Sequence, residues 1–322
     1  MEFKHAFHVF VDNFSTTYKL LVYRLFVLAV TVGLCCAVLV PSIGRISDTP
    51  QFIELKTTFS AMWSDIIAVD VENLQPKVQA FREASSAFKD MLSGKSWLIA
   101  VDVVCLCVVF FIHEFLSGVG DYVTGSLVHD KMVMYARSSF SITLFKNIRQ
   151  ASLYAIIYAP LSFLYGIACT AVMGAIIFVG FKGLPVTLVK IFIIALLFLL
   201  FSAVKLFFTV DWVPALIDGK MKQRKAFIYT FSRKDKHNAS VISTSLVLKL
   251  TIFALNVAAG IFTFGAGLLL TLPASTLILS AYSFVNYFDR NKKKYFVDEY
   301  TIVGPKKETP ATREEFFKGE EQ

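Results

Sequence analysis

The sequence predicts an all-α integral membrane protein of six transmembrane helices. It reads as three repeats of an elbow helix followed by a helical hairpin, with an external amphipathic helical hairpin added. Three observations predict this. Hydrophobic residues make up 56% of the 322 residues, above the roughly 45–50% of soluble domains, and mean hydropathy is +0.61. The excess is gathered in runs of about 20 residues or more, the length that crosses a hydrocarbon core of about 30 Å. Two polar gaps also echo each other. Asp121-Tyr122-Val123, Asp130-Lys131-Met132 and Ser139-Phe140 in one are answered by Asp211-Trp212-Val213, Gly219-Lys220-Met221 and Ala226-Phe227 in the other.

The first segment, 1–44, carries Ala6-Phe7, Phe10 and Phe14 and then the first span, 20–43. The apolar residues mark one face of an elbow helix lying in the membrane interface. The start is not a good signal peptide: mixed polarity precedes the apolar run and no small-residue cleavage site follows it. Residues 45–95 form an extracytoplasmic helical hairpin. Phe52, Leu55, Phe59, Met62, Ile66 and Val69 recur three and four apart, Pro76 breaks the pattern, and Val78, Phe81, Phe88 and Leu92 resume it. Such a stripe is one helix face that needs a partner. Residues 96–288 hold the other spans, 97–118, 151–181, 186–210, 239–262 and 264–288, with elbows in 119–150 and 211–238. Tight outer turns are expected at Lys182-Gly183-Leu184-Pro185 and Gly265-Ala266-Gly267, where glycine and proline favour reversal. Residues 289–322 form a polar tail, read as flexible from Val297.

Charge sets the orientation. Both gaps and the segment Arg290, Lys292, Lys293, Lys294 are basic, and they alternate with poorly basic links. The positive-inside rule places both termini and both basic gaps in the cytoplasm. The net charge of +8 is therefore read as topological and as attraction to anionic lipid headgroups, with no nucleic acid as partner. The five cysteines (Cys35, Cys36, Cys105, Cys107, Cys169) all fall in spans and indicate no disulfide framework. Asn238-Ala239-Ser240 matches a glycosylation sequon but sits on the cytoplasmic side.

One resemblance enters here. Val213-Pro214-Ala215-Leu216-Ile217-Asp218-Gly219, then Ala226-Phe227 and Ser232 before a span, resembles the cytoplasmic elbow of bacterial multi-span proteins similar to the membrane domain of glycerophosphodiester phosphodiesterases. The resemblance implies a membrane scaffold without an active site, because this chain has no room for the phosphodiesterase's catalytic barrel.

Ionisable residues inside spans mark candidate sites. Lys249 lies about 16 Å into the fifth span at 1.5 Å per residue, and Ser245, Asn256 and Gly260 share its helix face. This stripe is a candidate ligand-binding site for an anion; the alternative is a structural pair, with Glu114 the preferred acid. His113 beside Glu114 is the only candidate acid–base pair and does not extend to HExxH. Aligning the repeats places Glu114 near Lys205 and Asp102 near Lys190; snorkelling of these groups to the interface is the simpler reading. Ser162, Gly166, Thr170 and Gly174 recur every four residues, the pattern of close helix packing. No P-loop, GxSxG or clustered His/Cys set is present, so no catalytic residue, metal or cofactor is expected.

The leading expectation is a non-enzymatic membrane scaffold or complex subunit in the bacterial cell membrane. It binds lipid, or a protein partner at 45–95 or 289–322. The alternative is a transporter or channel for a small or lipidic anion with Lys249 in the pathway.

Overall fold

The computed structural model describes residues 2–68, 71–136, 138–177, 187–232 and 235–304. Along them run α1 (Glu2–Asp12), α2 (Thr16–Ser47), α3 (Pro50–Ala68), α4 (Val71–Gly94), α5 (Ser96–Met134), α6 (Phe140–Ala175), α7 (Thr187–Thr209), α8 (Trp212–Ile217), α9 (Gln223–Phe231), α10 (Asp235–Phe262) and α11 (Leu268–Arg290). A two-stranded antiparallel hairpin follows, β1 (Tyr295–Phe296) with β2 (Ile302–Val303). The expected turn at 182–185, the side chains of Ile66 and Lys190, Val69 and the tail from 305 lie outside the described residues.

Among the described residues, six helical stretches are long and apolar enough to cross a membrane: Thr16–Ser47, Ser96–Met134, Phe140–Ala175, Phe192–Ile217, Asn238–Phe262 and Leu268–Asn291. Their outward faces expose Val22, Val104, Leu164, Phe192 and Ile261. Water would penalise so much apolar surface, whereas hydrocarbon tolerates it and demands that backbone groups be paired within each helix. The chain is an all-α, multi-pass integral membrane protein.

The chain divides into two units, Met1–Val27 with Glu114–Gln322, and Leu28–His113. The second unit contains the α3–α4 pair. Phe52 meets Phe88 at 5.9 Å and Phe59 meets Phe81 at 5.8 Å between ring centroids, so the predicted stripes pack on each other. Pro76 does not break the helix as expected. It lies within α4, in the second turn, where it removes one backbone hydrogen bond and its ring crowds the carbonyl four residues back without ending the helix. α3 is described to Ala68 and α4 from Val71.

In the first unit α1 lies against α11, burying Ala6 and Val9. Asn13 ends α1: its Nδ2 and backbone N–H both donate to the Val9 carbonyl, at 2.8 and 3.1 Å. No such stop precedes the third span. The stretch from Phe140 is continuous with α6 rather than a separate elbow, since nothing from Ser141 to Gln150 interrupts helix propagation. The gap 119–150 is likewise mostly helix. At 39 residues, α5 is about 58 Å long at 1.5 Å per residue, well beyond the roughly 30 Å hydrocarbon core. The polar residues that suggested a loop are paired instead. Asp130 accepts from Ser138 at 3.1 Å and Lys131 from α5 meets Asp12 of α1 at 2.5 Å. Between them Val119, Tyr122, Val123, Leu127, Val128 and Met132 are buried at helical spacing.

The densest packing surrounds Asp211, which is fully buried. Its Oδ1 accepts from Asn286 at 2.6 Å and its Oδ2 from Arg290 at 2.7 Å. Arg290 also donates to the Tyr229 carbonyl and to Ser232 Oγ, and its guanidinium lies 3.8 Å from the Tyr229 ring centroid. One carboxylate thus joins the α7–α8 corner, α9 and α11. The tail is not flexible from Val297 as expected. Tyr295, Phe296, Val297 and Ile302 are buried, and Asp298 accepts from the N–H groups of Tyr300 and Thr301 at 3.0 and 2.8 Å to close the turn. The charges around this short apolar set masked it in the sequence.

Asp218, just past α8, accepts from Lys293 at 2.6 Å and faces His129 Nε2 at 3.4 Å. Burial raises its pKa, but the hydrogen bonds from His129 and Lys293 outweigh that and hold it below the usual carboxylate value.

Two stability predictions follow from this packing. Asp211→Ala leaves Arg290 and Asn286 facing an empty, buried position and is expected to cost about 3–5 kcal/mol, read as a lower denaturation midpoint in mixed micelles. Asp218→Asn is expected to cost about 2 kcal/mol at neutral pH. Because the folded pKa is depressed, that difference is present above the unfolded carboxylate pKa and disappears as pH falls through the folded value. A parallel pH series of denaturation curves for parent and variant checks it.

Candidate functional site

Four of the ionisable groups that the spans carry meet in one place. Arg24 from α2, Asp121 from α5, Lys205 from α7 and Lys249 from α10 line a cavity of about 320 Å³. Tyr154 and Tyr158 from α6, Ser202 and Thr209 from α7, and Thr276, Ser280 and Ser283 from α11 make its walls polar. Charges are few on each span because the rest of it must stay apolar.

Most of these charges are matched. Arg24 Nη2 donates to Asp121 Oδ1 at 2.7 Å and its Nη1 to Ser117 Oγ at 3.1 Å. Tyr23, next to it, donates to the Leu116 carbonyl at 2.6 Å, which fixes α2 against α5. Lys205 donates to Ser162 Oγ at 2.5 Å, and Ser162 donates to Glu114 Oε2 at 2.5 Å. The Lys205 and Glu114 charges are 4.0 Å apart, and the Lys205 ammonium also sits 5.3 Å from the Tyr158 ring centroid.

Lys249 is different. Among the described residues no hydrogen bond or ion pair reaches its ammonium. Three cations, Arg24, Lys205 and Lys249, stand against two carboxylates, Asp121 and Glu114, so the site carries one positive charge in excess. An isolated charge in low dielectric is costly, and an anion entering the cavity would relieve that cost.

The sequence singled out some of these residues and misplaced others. Glu114 neutralises Lys205, as the repeat alignment suggested, and not Lys249, because Ser162 holds its carboxylate on α6. His113 hydrogen-bonds Thr31 at 3.0 Å in the other unit and does not line the cavity. Asp102 accepts from Ser42 at 2.9 Å. Of the predicted stripe on α10, only Lys249 enters the cavity. Ser245 is buried, its hydroxyl without a partner among the described residues, and Asn256 donates to Ser275 on α11 at 3.4 Å. Among the described residues, the small-residue stripe on α6 makes no close helix contact at its two glycines. Ser162 is a polar bridge, Thr170 is exposed, and a Cβ at Gly166 or Gly174 would meet nothing within 4 Å.

Arg24 and Asp121 are the site residues the sequence reading left out. Arg24 lies just inside the first predicted span, the same signal that marked Lys249. Asp121 lies beyond the expected end of the second span at 118, in a helix that continues to Met134.

No protein-family model, curated protein or solved structure matches the chain. The site is therefore read from its own chemistry. It holds fixed donors and an excess cation, and its carboxylates are engaged. That composition suits an anion better than a cation.

Removing one member of the Arg24–Asp121 pair tests how far the site depends on it. Arg24→Met strands Asp121 and is expected to cost about 3 kcal/mol, most of which Arg24→Met with Asp121→Asn recovers. Denaturant titration of the parent and the two variants in one detergent measures it.

Proposed function

We propose that this protein is a non-enzymatic, multi-pass membrane protein that binds an anion in the cavity at Lys249. One observation carries this reading: an ammonium without a partner among the described residues faces a polar cavity whose other charges are already matched. The finer placement belongs with it. Both termini face the cytoplasm of a bacterial cell, and the basic segments meet anionic headgroups of the plasma membrane. The echo at Asp121 and Asp211 reflects a repeated hairpin unit whose second copy has no separate elbow helix. The likeness of 213–232 to the membrane domain beside glycerophosphodiester phosphodiesterases fits a scaffold of this kind.

The test uses purified protein in nanodiscs of neutral lipid, titrated with inorganic phosphate and with anionic lipid. Lys249→Met is expected to weaken binding roughly tenfold or more; equal affinity for parent and variant overturns the reading. Flux in liposomes separates holding an anion from moving one. A phosphate flux that Lys249→Met abolishes assigns the transporter alternative, and binding without flux assigns the scaffold.

A second reading rests on a different surface. Ile53, Phe59, Trp63 and Val78 on the α3–α4 hairpin are exposed, which favours a protein partner at 45–95. A photocrosslinker at position 63 in native membranes is expected to capture one discrete protein. An adduct-free result removes this reading.

A further inference from the structure

The cationic cavity has an apolar neighbour. A second cavity, about 250 Å³, is lined by Leu161 and Tyr165 of α6, Phe208 of α7, Trp212 of α8, and Phe227 and Phe231 of α9. Tyr158, Lys205 and Thr209 line both cavities. Lys205 makes the junction amphipathic. Its ammonium belongs to the Ser162–Glu114 bridge, while its methylene stem is of a kind that packs against apolar surface. Leu161 and Phe208, both on spanning helices, are also exposed on the helix surface, so the apolar cavity is reached from the side where acyl chains lie. A small hydrated anion explains the first cavity and leaves the second unexplained. A ligand with a charged head and an apolar tail accounts for both.

We propose, building on the anion-binding reading, that the ligand is a lipidic anion. Its phosphate or carboxylate head sits beside Lys249 and Lys205, and one acyl chain lies in the apolar cavity between α6, α7 and α9. The head exchanges water for fixed donors and an unmatched charge. The chain leaves one apolar environment for another, so it adds little affinity of its own but selects an amphiphile over a free ion. Trp212 lines the apolar cavity, where the proposed chain lies.

Trp212 is also the reporter. The chain has three tryptophans, and Trp63→Phe with Trp97→Phe leaves Trp212 alone. The full-length protein, in neutral-lipid nanodiscs, is titrated with a monoacyl phosphate whose chain carries bromine, a contact quencher of indole fluorescence. A neutral monoacyl lipid with the same brominated chain sets the background. The expected result is saturable quenching by the phosphate lipid above that background. Lys249→Met should weaken it roughly tenfold, Lys249→Arg should retain it, and excess inorganic phosphate should reverse it. Retention by Lys249→Arg also shows that loss in Lys249→Met is not misfolding. Equal quenching by the neutral lipid, or quenching indifferent to Lys249→Met, overturns the inference because head and tail are then not one ligand. Lys249-dependent binding of inorganic phosphate with no Trp212 quenching overturns it too, while leaving the small-anion reading standing. No Lys249-dependent binding of either probe sinks both.

Discussion

The buried carboxylate of Asp211 is the constraint around which the first unit is organised. A charge removed from water is costly unless it is paired and hydrogen-bonded. Here two donors on α11, one turn apart, meet both carboxylate oxygens. The same arginine then closes α9 through the Tyr229 carbonyl and ring. Trp212, next in sequence, packs on Tyr154, Tyr158 and Phe227 at 5.1, 6.3 and 4.8 Å between centroids. The α7–α8 corner is therefore fixed from three sides. That corner also carries Thr209, which borders both cavities, so their common wall is anchored by the Asp211 contacts.

Asp121 solves the same problem with the same chemistry, an aspartate in one helix and an arginine in another. The two aspartates that echo each other in the sequence each accept from an arginine at 2.7 Å. They differ in surroundings. Asp211 is sealed in aromatic packing, whereas Asp121 borders a cavity large enough to admit a ligand. One site has become a rivet and the other the wall of a chamber.

Much of this architecture was legible in the sequence because hydrocarbon imposes a simple code. Span number and approximate limits follow from apolar run length, and the α3–α4 pair follows from three-to-four spacing. The code failed where charge was read as solvent. Asp121 and Lys131 each have a partner far away in sequence, and Asp130 has one past the helix end, so α5 continues where a loop was expected. Tyr295 and Ile302 lie in a stretch too short and too charged to show a period, yet they are buried. The site was half legible. Lys249, Lys205 and Glu114 stand out as ions inside spans, but which cation each acid would choose depended on Ser162, whose four-residue spacing pointed instead to packing.

The contact between His5 and Tyr295, 3.1 Å apart but 290 residues distant in sequence, has a consequence for biogenesis. The N-terminal helix emerges first, yet its seat on α11 and the strand hairpin is made last. At about 5–20 residues per second, α1 waits roughly 15–60 s while five further spans are synthesised and inserted. Its Ala6–Val9 face has no seat on α11 during that interval. Docking of α1 is then the closing step of assembly, and it occurs only on a chain whose last span has arrived.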